Sequence, residues 1–345
     1  MIAAGDFRAL VALRSKQGEL EALNTLHRDL GVQPLVVIEV EEDKSPEPTL
    51  DRVARTMRKL NALGRVAIAD VNAIHSDAER FELLDKLANR LHSADDELPL
   101  DPIPFIPVAR AGDAAWLYRL RAFADEFGCG CALRIEPESA TPAQVAQLPQ
   151  ALGLEATDVD LIVDLGYVAS STSRVTDEAV ATLADLIGQP TFRSITLLGG
   201  SVPRSLTQVA VWEQPRYEEL VWRAAVSAGL AEVRFGDYGV VHPVTAPGIR
   251  RSNHVNVKYS CTDHWLYVRE PIPVVDQQHL VSKAIGTASQ SLLESGSFAG
   301  ADYSWGDNGF VAAASGNASG YGSKTKVVAL ATSHHLSYLA DLSAA

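Results

Sequence analysis

Leu161-Ile162-Val163-Asp164-Leu165-Gly166 is a short apolar run that stops at an acid and a glycine. A run of this length ending at a charged residue reads as a strand buried on both faces, with its last side chain emerging at a rim. Runs of the same design occupy residues 8–14 (RALVALR), 34–40 (PLVVIEV), 65–70 (RVAIAD), 103–108 (IPFIPV), 131–135, 194–198 (SITLL) and 232–235. Helical patterns separate them. After the first run, Leu20, Leu23, Leu26 and Leu30 form a stripe that Gly31 stops. Eight strand-and-helix units predict an α/β fold, a (β/α)8 TIM-like barrel. Such barrels do their chemistry at the C-terminal ends of their strands.

The pattern loosens after the eighth strand. Residues 275–293 read as the delayed eighth helix that closes the barrel. Two further runs, 255–259 and 265–269, fall outside the eightfold count and predict a β-hairpin (253–270) over one end of it. The barrel with its hairpin is therefore expected to span 1–295. Residues 296–324 are rich in Gly, Ser and Asn, too polar for a core element, and read as a lid segment. The C-terminal unit, 296–345, is expected to pack on the barrel and to end in a short helix.

The chain has 345 residues, 47% hydrophobic and 21% charged, with a formal net charge of -13. These values describe a globular protein able to bury a sizeable core. The acidity makes a nonspecific nucleic-acid or anionic-membrane binder unlikely, since those partners demand a basic surface. No apolar run reaches the ~18 residues of a membrane span, and no basic-then-apolar leader opens the sequence. The three cysteines, Cys129, Cys131 and Cys261, show no zinc-ligand spacing. A cytoplasmic protein with reduced thiols is the expectation, and a symmetric homodimer is the default assembly. Walker loops, Gly-x-Gly-x-x-Gly after a strand, Gly-x-Ser-x-Gly and His-Glu-x-x-His are all missing.

Five short motifs are shared with a known family. They are Lys16-x-Gly18-Glu19 with Ala22-Leu23, Pro34-x-x-x-Ile38-Glu39, Asp164-x-Gly166, Ser304-Trp305-Gly306-Asp307 and the His334-His335 pair. Over nearly its whole length the chain resembles the beta protein family, named after the beta protein of bacteriophage T4. The resemblance implies a phage-related protein of poorly defined biochemical role. It implies no assigned functional residues.

The strand ends carry an unusual set of charges. Lys16, Glu39, Arg110, Arg134, Asp164, Arg234 and Asp237 come from the barrel units, and Lys258 and Arg269 from the hairpin. If they share one mouth they must interlock or meet a ligand, because an unpaired buried charge costs several kcal/mol. One reading is a layer of ion pairs that plugs the barrel. The other is a pocket for a small anionic ligand, with arginine forks suited to phosphate or carboxylate. Gly199-Gly200-Ser201 and Gly236-Asp237 then stand where barrels donate backbone N–H groups to phosphate. Lys16, Glu39 and Asp164 are the candidates for proton handling, although a Lys16–Glu39 salt bridge is the blander explanation. Glu39, Asp70, Asp164 and Asp237 could offer oxygens to Mg2+; no other cofactor is suggested. Neighbouring helical residues differ by 100°, so at most one of His334 and His335 should face the barrel, the pair otherwise being exposed or capping. Trp305-Gly306-Asp307 reads as a lid or a turn. The first function reading is an enzyme acting on a phosphorylated or carboxylated small molecule, a nucleotide among the candidates. The alternative is a noncatalytic module that binds a protein partner in phage–host conflict, as antiphage defence or counter-defence. An enzyme should keep an open pocket with a perturbed lysine or carboxylate; a module should have its mouth filled by paired side chains.

Overall fold

The structure is a computed structural model. It describes residues 5–40, 44–71, 73–74, 76–92, 102–110, 114–187, 191–208, 210–244, 252–275, 278–316 and 322–342. The first half alternates strictly: β1 (Ala9–Arg14), α1 (Gln17–Asn24), β2 (Val32–Val37), α2 (Glu47–Ala62), β3 (Ala67–Asp70), α3 (Asp77–His92), β4 (Phe105–Ala109) and α4 (Ala114–Phe127). It continues with β5 (Cys131–Ile135), α5 (Pro142–Leu152), β6 (Val159–Tyr167), α6 (Ser173–Ile187) and β7 (Ser194–Gly200). An extra strand, β8 (Ala210–Pro215), precedes α7 (Tyr217–Ser227) and β9 (Val233–Asp237). Strands β1 to β7 and β9 pair in parallel, and β9 returns to β1 to close the barrel. The expected (β/α)8 architecture is therefore present.

Strand alternation builds two shells from the same apolar runs. Leu10, Ala12, Leu35, Ile68, Ile106, Val108, Ala132, Ile162 and Leu198 fill the barrel interior. Val11, Leu13, Val36, Leu133, Leu161, Val163 and Leu197 turn outward against the helices. The interior is tight: a Cβ on Gly236 would lie 2.7 Å from Thr196 Cγ2. Local chemistry sets the helix ends. Thr141 and Gln144 form a reciprocal capping box at the start of α5, which Gly153 ends in the left-handed conformation at φ 68°.

The hairpin is larger than expected. Strands β10 (His254–Ser260) and β11 (His264–Pro271) form an antiparallel sheet with β8, in the order β10-β11-β8. The insertion after β7 thus contributes its third strand. Val255, Val257, Leu266 and Val268 form a second hydrophobic core with α8 (Val281–Glu294), α9 (Trp305–Ala314) and α10 (Lys324–Asp341).

Three expectations for the C-terminal region are corrected here. The helix at 275–293 does not close the barrel: α8 packs on the added sheet and α9, whereas α10 lies against α1, β1 and β2. The Gly-rich segment is not wholly loop, because it contains α9, whose Gly306, Asp307, Gly309, Phe310 and Ala313 are buried; residues 317–321 lie outside the described residues. A glycine is required at 306, since a Cβ there would stand 1.9 Å from the Leu330 carbonyl oxygen of α10. The short terminal helix is an 18-residue helix that joins both cores. Val327 and Leu330 enter the second core, Leu336 and Leu339 the barrel core. That double burial places both His334 and His335 inside, at 2% and 0% exposure, facing different partners.

Candidate functional site

The centre of the barrel mouth is filled. Arg134, inward-facing at the end of β5, donates from Nε (3.0 Å) and Nη2 (2.7 Å) to Asp164 Oδ2, and from Nη1 (2.5 Å) to Asp70. Its Nη2 also donates to the Tyr238 hydroxyl at 2.7 Å, which in turn donates to Asp164 at 2.6 Å. Burial and the Asp164 charge push the Tyr238 phenol up, so it remains a donor. A local turn aims Asp164: its Oδ1 accepts the Gly166 N–H at 2.9 Å, and Gly166 has φ +61°. Asp237 repeats the device with the Gly239 N–H, also at 2.9 Å.

Asp237 nevertheless faces the other way. It belongs to the outward set of β9 and meets Arg216 Nη2 at 2.9 Å and His335 Nε2 at 2.9 Å. Arg216 is fully buried among Glu218, Glu219 and Asp237. Its guanidinium lies 4.8 Å from the Trp265 ring and 4.4 Å from Tyr338. Burial works against the Asp237 carboxylate, but His335 and Arg216 outweigh it and hold the group below its ordinary range. Burial, against the pull of Asp237, lowers His335. Next to it, His334 contacts Asp307 through Nδ1 (2.9 Å) and the Ser260 carbonyl through Nε2 (2.8 Å). Asp307 also accepts from Tyr259 and Ser304. The Ser304–Asp307 motif and the histidine pair thus tie α9, α10, β9 and β10 together.

Towards β1 and β2 the mouth is open. A cavity of ≈ 530 Å3 is lined by Lys16, Glu39, Lys44, Ser45, Thr49 and Arg52, among others, at the N-terminal end of α2. The Arg52 Nη2 donates to Thr49 Oγ1 at 3.1 Å, while its Nε is buried and has no hydrogen-bond acceptor among the described residues. Glu39 is flanked by Lys16 (3.3 Å) and Arg14 (3.4 Å), so the expected Lys16–Glu39 salt bridge forms. Behind this wall, Glu19 accepts the Arg14 backbone N–H at 3.0 Å, and burial pushes its carboxyl up to about 7. Lys258 reaches in from β10. Burial, then repulsion from Arg14, lowers its ammonium to about 8 against the pull of Glu19. His242, half-buried, is lowered by burial and then by the cations Arg204, Arg14 and Lys258, against its hydrogen bond with Val244.

The remaining expected ligands scatter. Arg234 lies at the opposite, N-terminal end of the barrel, where it donates to the Gly5 carbonyl and covers the Phe7 ring. It is the second residue of β9, so its inward side chain points into the floor. Arg269 donates to the Thr207 carbonyl on the added sheet. Arg110 stands at the end of β4 with a buried Nε that lacks a partner among the described residues. Gly199 and Gly200 form no open cradle. The space a Cβ would occupy is taken by Val168 and Glu218 at Gly199, and by Pro243 and Tyr238 at Gly200.

The four carboxylates considered for Mg2+ do not converge. Asp70 and Asp164 hold a guanidinium between them, Glu39 holds Arg14 and Lys16, and Asp237 faces outward. Among the described residues no group of three or more His, Cys, Asp or Glu side chains could hold a metal ion. The residues that sequence reasoning missed are Arg14, Glu19, Lys44, Arg52, Arg216 and Tyr238. One signal was available for Asp237: it is three residues from Arg234, so the two cannot share a face of one strand.

Two comparisons bear on this arrangement. The family model described as Beta protein matches residues 11–341. Protein beta of Enterobacteria phage P4 is 23% identical over 346 residues, covering 97% of this chain and 93% of that protein. The phage is P4 where the sequence reading names T4. Among the described residues no helix is long and apolar enough to cross a membrane.

Proposed function

We propose a function from one premise: the chain belongs to the Beta protein family. Through its P4 relative the family has a connection to phage, and it brings no reaction with it. Our reading is a small-molecule barrel that binds and acts on a phosphorylated or carboxylated compound at the β1–β2 side of its mouth, in the cytoplasm. The observation that carries it is the convergence of Lys16, Lys44 and Arg52, with the hydroxyls of Ser45 and Thr49, in one cavity at a helix N-terminus. A helix N-terminus favours anions, and the described lining carries Lys16, Lys44 and Arg52 beside one carboxylate, Glu39. Glu39 shares the wall and would take or return a proton of the bound ligand.

A thermal-shift series with inorganic phosphate, pyrophosphate and malonate tests this. At ~100 times its dissociation constant a ligand adds ~2.7 kcal/mol, a clear rise in melting temperature. The rise should vanish in Lys16→Ala and Arg52→Ala and persist in Arg234→Ala, at the far end of the barrel. No rise, or one indifferent to Lys16 and Arg52, removes the proposal.

The sealed Arg134 centre favours a second reading, the noncatalytic module in phage–host conflict, because a mouth filled by paired side chains leaves its surfaces to do the work. A silent ligand series together with recovery of a stoichiometric phage or host protein partner would select it.

A further inference from the structure

The anion cavity has a neighbour. A second cavity of ≈ 710 Å3 adjoins it across Val40 and Lys44, which line both. Their surroundings differ in kind. The first presents Lys16 and Arg52 with hydroxyls. The second presents an apolar floor of Val40, Pro46, Ile74 and Leu83, edged by Ser76, Glu79 and Glu82. The floor is firm, since Leu83 is buried in the barrel core and Ile74 packs against it. Of its two lysines, Lys44 is shared with the first cavity, and Lys86 is held by Glu82 at 2.6 Å and Glu47 at 3.3 Å.

Resting on the anion-site reading, we infer that the ligand is a nucleoside phosphate, with its phosphate between Lys16 and Arg52 and its nucleoside in the compartment floored by Val40, Ile74 and Leu83. The charge order sets the polarity. Glu79 and Glu82 edge the second compartment, where they accept hydrogen bonds from hydroxyl and amino groups. An apolar floor rewards burial of a flat, weakly polar ring, because apolar area removed from water stabilises the complex. A sugar phosphate lacks the ring. An alkyl phosphate lacks the donors. A nucleoside phosphate has an anionic head, a ring to bury and donors along its edge. Pockets of this size hold ligands of that class. Lys44, common to both compartments, lies where head and body would join.

Calorimetric titration of the full chain decides it, with inorganic phosphate, ribose 5-phosphate and the four nucleoside monophosphates AMP, GMP, CMP and UMP as probes. Ala73 lines the second compartment and is exposed, so Ala73→Trp fills that compartment without disturbing the core. We expect at least one nucleotide to bind tenfold or more tightly than phosphate and ribose 5-phosphate. Ala73→Trp should return it to the level of phosphate, whose own affinity stays unchanged, while Arg52→Ala should weaken every phosphate-bearing probe. Nucleotides that bind no better than phosphate, or a preference that survives Ala73→Trp, overturn the nucleoside compartment and leave the anion site standing. Failure of phosphate and nucleotides alike overturns both.

Discussion

Arg216 and Arg52 both belong to the C-terminal side of the barrel, and their surroundings are opposite. Arg216 is fully buried against Glu218, Glu219 and Asp237, with aromatic rings over its guanidinium. Arg52 lines an open cavity beside Lys16 and Glu39, and its Nε has no acceptor among the described residues. A charge set whose members bond one another in the dry interior is architecture: it joins the added sheet and α10 to the barrel. On our proposal, the set that faces solvent at Arg52 is the one that takes a ligand. Arg134 belongs with Arg216, although its place in the barrel mouth made it the first candidate for substrate binding.

The contrast can be broken experimentally, and the largest effect is expected at Arg216. Arg216→Ala leaves Glu218 and Asp237 buried without a guanidinium, while Glu219 keeps Arg223 at 2.8 Å, and should cost about 5 kcal/mol in urea unfolding, the upper range for breaking a buried pair. Arg134→Ala should cost about 3 kcal/mol, because Asp164 retains the Tyr238 hydroxyl and the Gly166 N–H. A loss below about 1 kcal/mol at either position would mean that water reaches the carboxylates, and the sealed category would fail.

Glu19 sharpens the comparison through pH. Its folded carboxyl is raised to about 7 from 4.5. Between those values the unfolded chain ionises first, so stability falls as pH rises from about 4.5 to about 7. The contribution is complete below that window and lost above it. The slope approaches about 1.4 kcal/mol per pH unit, and Glu19→Gln should lack it. Equal slopes in the two proteins would show that Glu19 is solvated. The smallest stability effect belongs to Arg52→Ala, within about 1 kcal/mol, although its loss of phosphate binding should be tenfold or more. A large stability loss there would move Arg52 to the sealed side.

Much of the fold was legible. Apolar runs with helical stripes between them produce a βα period, and eight periods close a parallel barrel because both faces of each strand must be covered. The added sheet was half legible: 255–259 and 265–269 alternate clearly, but β8 is an exposed edge strand with little apolar signal. Helix α9 was hidden because glycine usually marks a loop; here Gly306 is required by the close approach of α10.

The site was legible as an inventory of charges and not as a geometry. Local pattern was enough for the barrel, for the rim as the place where charges collect, and for the family to which the chain belongs. Which charges meet follows from the packing of distant segments. Asp237 and Tyr238 are neighbours, yet alternation sends one outward to Arg216 and the other inward to Arg134. His334 and His335 differ by one helical step, yet a helix lodged between two cores buries both. Pairing depends on face and distance between segments far apart in the chain, and charge energies depend on what excludes water around them. Neither is written in local pattern.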